Sequence, residues 1–136
     1  RHPLSRVPVR GVPVAVTVAC AVALALLAGL AVLQLAVACG APGGRLVWGG
    51  AHRTLPRRLR WASAASVLLY AGMAWLLVDR ASATPTEFSR VAAWMLFAYF
   101  CLGVAMNLAS RSRAERAVMT PVCLVLAGAT LVIAVG

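Results

Sequence analysis

The sequence predicts an all-α fold, a bundle of four transmembrane helices with an interfacial first loop. Three observations carry this. The 136 residues are 62% hydrophobic and only 12% charged, with a mean hydropathy of +0.90, which is about half the charged fraction of a soluble domain. The apolar residues gather into four runs without a charge, Val12 to Ala38, Trp61 to Val78, Val91 to Ala109 and Ala117 to Val135. Each approaches the about 20 residues that a helix needs to cross a bilayer. The charged residues lie between the runs, so the surplus apolar surface is left to face lipid.

The whole chain, 1–136, reads as one integral membrane domain with helices at about 12–38, 60–79, 85–110 and 113–135. Its basic start, Arg1 to Arg10, resembles a secretory leader, but a leader has an apolar core of roughly 7–15 residues. The longer run here predicts an anchor that is retained, and the opening Arg in place of Met predicts residues upstream. The second run is the shortest and extends through Arg60 and Asp79, whose side chains can snorkel. The third helix opens on Thr84-Pro85-Thr86-Glu87. That fits a capping box with Thr84 as N-cap, Pro85 in the first helical position and Glu87 reaching back. Ser112-Arg113-Ala114-Glu115 repeats the pattern at the fourth helix. Inside that helix Pro121 frees the carbonyl of Ala117 and predicts a kink.

Helix packing in lipid depends on small residues that let backbones approach. Candidates are Ala15, Ala19 and Ala23, then Ala25 and Gly29, in the first helix, Cys101, Ala105 and Ala109 in the third, and Cys123 and Ala127 in the fourth. Four helices have intramolecular use for such stripes.

All 13 basic residues are Arg, against 3 acidic residues, for a net charge of +10. The absence of Lys excludes lysine Schiff-base chemistry and points to a GC-rich genome. A balance this basic can mark a nucleic-acid binder. Here the Arg residues flank apolar runs, so they read as topology signals and headgroup contacts instead, with no nucleic-acid partner. The first loop (Arg45, Arg53, Arg57, Arg58, Arg60) and the third (Arg111, Arg113, Arg116) share one side of the membrane. The N-terminal tail (Arg1, Arg6, Arg10) and the second loop (Arg80, Arg90) share the other. The larger share belongs to the first and third loops, which predicts that they are cytoplasmic and that both termini are outside. Trp48 and Trp61 mark one interface, and Trp75, Phe88 and Trp94 the other.

Catalytic chemistry has little to stand on. The cysteines Cys20, Cys39, Cys101 and Cys123 form no C-x-x-C pair and read as small, buried, reduced residues. Glu87 and Glu115 read as caps, and Asp79 as a helix-boundary residue, so no paired carboxylates remain for acid–base work. The histidines His2 and His52 have no metal-ligand spacing, and no cofactor is expected. Ion-coupled transporters usually carry an ionisable residue within the membrane. None of the four runs has one, and the glutamate of small multidrug transporters is absent.

Polar residues within the spans are unevenly placed. Gln34, Ser63, Ser66, Asn107, Ser110 and Thr120 all fall at the face of the first and third loops. They predict either a polar mouth or interhelical hydrogen bonds of about 0.6 kcal/mol each. In the first loop Leu46, Val47 and Trp48 are expected to dip into the interface, and Pro56 to begin the second helix. Arg45, Arg53, Arg57, Arg58 and Arg60 then become candidates for phosphate headgroups, because a helix N-terminus with Arg residues suits phosphate. Positive-inside anchoring accounts for the same residues.

Gly40-Ala41-Pro42-x-Gly44, Gly49-Gly50, Leu55-Pro56 and Arg60, with Asn107-Leu108, Ser110-Arg111-Ser112-x-x-Glu115-Arg116 and Pro121, resemble a family of small bacterial four-helix membrane proteins with no assigned activity. The resemblance runs from about Leu33 to the C-terminus. It implies the same fold and a bacterial plasma-membrane location. Relatives often carry Trp at the position of Gly43 and an acidic residue at that of Arg45. The departure at both positions weakens any idea of an essential acid in this loop.

The function expected is non-catalytic: binding of a lipid or apolar ligand, or of a partner membrane protein, with anionic phospholipid headgroups as neighbours. The alternative is a small homodimeric channel or transporter. A third is a lipid-active enzyme with His52 as its base.

Overall fold

The computed structural model describes residues 11–136. Arg1, Arg6, Arg10 and His2, which entered the topology and metal-site expectations, lie outside the described residues. Four helices, α1 (Val14–Ala38), α2 (Arg57–Arg80), α3 (Glu87–Leu108) and α4 (Arg113–Val135), account for almost all of the regular structure. Among the described residues there is no strand. Each helix is long and apolar enough to cross a membrane.

The helices form a ring in which each packs on its sequence neighbours and α4 closes back on α1. The contact is most extensive between α3 and α4 and least between the neighbours α2 and α3. In α1, Val16, Ala19, Ala23 and Leu27 point inward, a stripe that returns after roughly every turn. The core joins them to Met73 and Leu77 of α2, Phe100 of α3, and Leu126, Ala127 and Ile133 of α4. Large apolar side chains cover the outside instead. Leu68, Trp75, Phe88 and Met95 are each at least 60% exposed. That inversion suits a helix bundle in lipid, where an apolar exterior costs nothing.

At one end of the bundle the first loop folds over the helices. α1 stops in a Schellman turn: Gly40 N–H donates to the Val37 carbonyl (3.1 Å), and Ala41 N–H to that of Ala36 (3.0 Å). Gly40 adopts φ +96°, which a side chain would disfavour. Arg60 Nε then donates to the Ala38 carbonyl at 2.7 Å. Two short 3-10 turns, Gly44–Leu46 and Trp48–Gly50, follow. Val47 and Leu55 are buried with Val37 and Met119 in a second apolar cluster. The loop is therefore packed on the bundle. Of the three residues expected to dip into the interface, Val47 is buried, Leu46 half-buried and only Trp48 exposed.

The opposite end gathers the start of α1, the α2–α3 connection and the end of α4. A Cβ on Gly136 would meet the side chain of Val16, and Arg80 Nη2 donates to the backbone oxygens of Ala134 (3.0 Å) and Gly136 (3.1 Å).

Several local expectations are corrected. α3 starts at Glu87, and its N-cap is Thr86, which accepts from Ser89 N–H; Thr84 stands outside the helix. The carboxylate that reaches the cap belongs to Asp79, not Glu87: Asp79 Oδ2 accepts from Thr86 N–H at 3.0 Å and Thr86 Oγ1 at 2.8 Å. Glu87 instead faces Arg90 at 3.6 Å on the exposed side. Thr84 loses the cap because Asp79, one loop away, offers a full charge to the amide and hydroxyl of Thr86. Ser112 does cap α4, and α2 begins just after Pro56.

Of the small-residue stripes, Ala19, Ala23 and Ala127 are buried. Ala15, Ala25 and Gly29 are exposed, as are Cys101, Ala105 and Ala109 along α3. α3 meets α4 through Gly103 instead, where an added Cβ would lie 3.2 Å from Cys123 Sγ. Cys39 and Cys101 are exposed and Cys20 and Cys123 half-buried, so none of the cysteines is the fully buried residue expected.

Candidate functional site

The weak α2–α3 contact leaves a cleft, and at the end covered by the first loop it widens into a cavity of about 690 Å³. All four helices contribute to its wall: Leu30 and Gln34 from α1, Ser66 and Tyr70 from α2, Phe100 and Asn107 from α3, and Glu115 and Leu126 from α4. The open side is bordered by Tyr99, Leu102 and Met106 of α3, which are 49%, 58% and 65% exposed. Those residues lie on the outer surface of a candidate membrane helix, so the cavity opens sideways.

Trp48 and Gly49 roof it. Trp48 has φ +53°, and Gly49 and Gly50 follow at +77° and +70°. A left-handed Trp is a strained residue, of order 1–3 kcal/mol, and such strain persists only where neighbours over-determine it. Trp48 Nε1 donates to the buried Ser63 Oγ at 2.9 Å, which anchors the ring. Gly50 has no room for a side chain, since a Cβ would collide with Ser112. The absence of one lets Ser112 Oγ donate to the Arg45 carbonyl at 2.6 Å, tying the third loop to the first.

The inner wall is polar. Gln34 is 7% exposed, and its Oε1 has no hydrogen-bond partner among the described residues. A buried acceptor left unmet costs about 1–3 kcal/mol. Asn107 Nδ2 donates to Cys123 Sγ at 3.2 Å. Ser66 Oγ donates to its own helix, at Ala62 O, 3.0 Å away. Glu115, 8% exposed, receives the Ser110 hydroxyl, and Ser110 Oγ in turn accepts from Ser112 N–H. The capping-box expectation for Glu115 is thus corrected. Its carboxylate reaches the cap through Ser110 and faces the cavity, and among the described residues no cation lies within ion-pair distance of it.

Of the residues expected at a polar mouth, Gln34, Ser66, Asn107 and Ser110 line this cavity together. Ser63 sits behind the roof, bonded to Trp48. Thr120 is elsewhere on α4, its Oγ1 buried without a partner among the described residues. The five arginines do not form one cluster. Arg58 lines the cavity, and Arg57 and Arg60 border a separate, outward-facing apolar hollow of about 580 Å³ with Trp61. Arg45 Nη1 donates back to the Gly50 carbonyl at 3.4 Å, and Arg53 is exposed. Arg60 is largely committed to the end of α1. His52 is exposed and does not line the cavity.

Tyr70, Tyr99 and Glu115 were not singled out from the sequence as cavity residues. Tyr70 and Tyr99 lie within apolar runs, where an aromatic residue gives no signal of its own. Glu115 was visible only as a cap.

Among the described residues no group of His, Cys, Asp and Glu is placed to hold a metal ion. No family model, curated protein or solved structure matches the chain.

Proposed function

We propose that this is a multi-pass protein of the bacterial plasma membrane that binds one amphipathic lipid in the α2–α3 cavity, without catalysis. The observation that carries this reading is the combination of apolar lips with a polar inner wall in a hollow that opens on the outer, lipid-facing surface of the helices. A ligand pocket is expected to be mostly apolar with a few convergent polar groups. The volume of about 690 Å³ falls within the roughly 300–1,000 Å³ usual for small-molecule sites. A headgroup with the first part of an acyl chain would fill it, and the remaining chain would run out between α2 and α3 into the bilayer. Trp48 closes the end toward the loops, which favours entry from lipid over entry from water.

Orientation is part of the proposal. The first and third loops face the cytoplasm, supported by the concentration of Arg45, Arg53, Arg57, Arg58, Arg60, Arg111, Arg113 and Arg116 at that end. Arg57 and Arg58, exposed beside the bilayer surface, then meet anionic headgroups.

Native mass spectrometry of the protein in mild detergent, with identification of retained lipid, tests the reading. Retention of one lipid, lost when Phe100 and Leu126 are replaced by bulkier or polar residues that occlude the cavity, supports it. A bare homodimer moves the channel reading ahead, and a bare monomer counts against both.

A further inference from the structure

Resting on that reading, the geometry points to the chemical class of the ligand: we infer that the cavity selects an amphiphile whose headgroup carries a protonated primary amine, with the Glu115 carboxylate and Gln34 Oε1 as its acceptors. Two independent observations meet here. One is the buried carboxylate of Glu115, which faces the cavity with no cation at ion-pair distance among the described residues. The other is Gln34 Oε1, more than nine-tenths buried on the same wall and without a donor. A carboxylate held out of water needs an opposite charge or several hydrogen bonds, and the hydroxyl of Ser110 supplies one.

Several nearby donors are already committed, while the hydroxyls of Tyr70, beside Gln34, and of Tyr99 also border the cavity. Ser66 Oγ donates to Ala62 O, Asn107 Nδ2 to Cys123 Sγ, Ser110 Oγ to Glu115 and Trp48 Nε1 to Ser63. The inner wall is therefore rich in acceptors and carries negative charge. A ligand that brings three N–H donors and a positive charge complements it better than one that brings only acceptors. Among the described residues Arg58 is the one cation on the cavity's lining, and it is exposed. A headgroup with its ammonium inward and a phosphate outward meets both charges. This is the arrangement of an aminophospholipid, while a long-chain amine without phosphate would use the inner wall alone.

The experiment is lipid titration of the full chain in detergent, read by native mass spectrometry. Four probes are compared: phosphatidylethanolamine, phosphatidylcholine (the same phosphate with no N–H), phosphatidylglycerol and a long-chain primary alkylamine. Phosphatidylethanolamine is expected to bind roughly tenfold more tightly than phosphatidylcholine, the size of one charge-assisted contact. Glu115→Gln keeps an acceptor for Ser110 and should erase that preference by weakening phosphatidylethanolamine more than phosphatidylcholine. Gln34→Met, which removes a group with no protein partner at Oε1, should lower the preference several-fold and guards against misfolding of the Glu115 variant. Arg58→Gln should weaken both zwitterionic phospholipids and leave the alkylamine unchanged, which separates the two amine sources. Equal binding of phosphatidylethanolamine and phosphatidylcholine overturns amine selection and leaves lipid binding standing. Binding of none of the four overturns the lipid reading itself.

Discussion

The Ser112 hydroxyl donates to the carbonyl oxygen of Arg45 at 2.6 Å, while Ser112 Oγ itself accepts from Glu115 N–H at 3.3 Å. One side chain thus starts α4 and fastens the first loop across the end of the bundle. Ser112→Ala should cost about 1–2 kcal/mol, the sum expected for a cap and a loop hydrogen bond. Gly50→Ala should be at least as damaging, because a side chain there is disfavoured at φ +70° and collides with Ser112. Thermal unfolding in detergent compares the two, and a neutral Gly50→Ala would refute the close packing of the loops.

Arg60 and Arg57 border the same outer hollow but should behave differently. Arg60→Gln removes the 2.7 Å bond to Ala38 and is expected to destabilise the protein by about 1–2 kcal/mol. Arg57→Gln, at an exposed position, should leave unfolding within about 0.5 kcal/mol of the parent and reduce retention of anionic lipid instead.

Asp79→Ala should loosen the first turn of α3, because the carboxylate holds both the amide and the hydroxyl of Thr86. Hydrogen exchange is expected to speed up from Glu87 to Arg90. Thr84→Ala, outside the helix, should change nothing there. Equal effects from the two substitutions would return the cap to Thr84.

Leu77 is fully buried and Leu68 is 76% exposed on the same helix. Leu77→Ala should cost about 2–5 kcal/mol, whereas Leu68→Ala should be near neutral. A reversal would mean that the outer and inner faces of α2 are exchanged.

The native cysteines report orientation. Cys39 lies at the loop end of α1 and Cys101 within α3, both exposed. A membrane-impermeant maleimide added to intact cells should leave Cys39 unlabelled and label it after permeabilisation. Cys101 should react only with a lipid-soluble reagent. Labelling of Cys39 from outside would invert the proposed topology.

The number and type of helices were legible in the sequence because four uncharged runs of spanning length admit few other folds. Their ends were legible only where the signal was local. Ser112 and Pro56 could be read from adjacent residues. Thr86 could not, since its partner Asp79 belongs to the preceding helix and composition does not reveal a contact across a loop. The cavity was half legible. Gln34, Ser66 and Asn107 stood out as polar residues in apolar runs, whereas Ser63 and Thr120 shared that signal and point elsewhere. Which way a residue faces depends on helix rotation, and rotation is weakly encoded when every face of a helix is apolar. The outward stripe Cys101, Ala105 and Ala109 is the same ambiguity in another form.

The two arginines near the ends of α2 have a mechanical consequence. Arg60 grips the last turn of α1 and Arg80 the last turn of α4, and Asp79 holds the first turn of α3. A slide of α2 along its axis would break all three attachments together, so axial travel is closed to it. On the α2 side, the cleft can widen if the middle of α2 bows while its ends stay clamped. The α2 contribution to its width is then set by the bending stiffness of that helix, as the gap beneath a plucked string is set by its span.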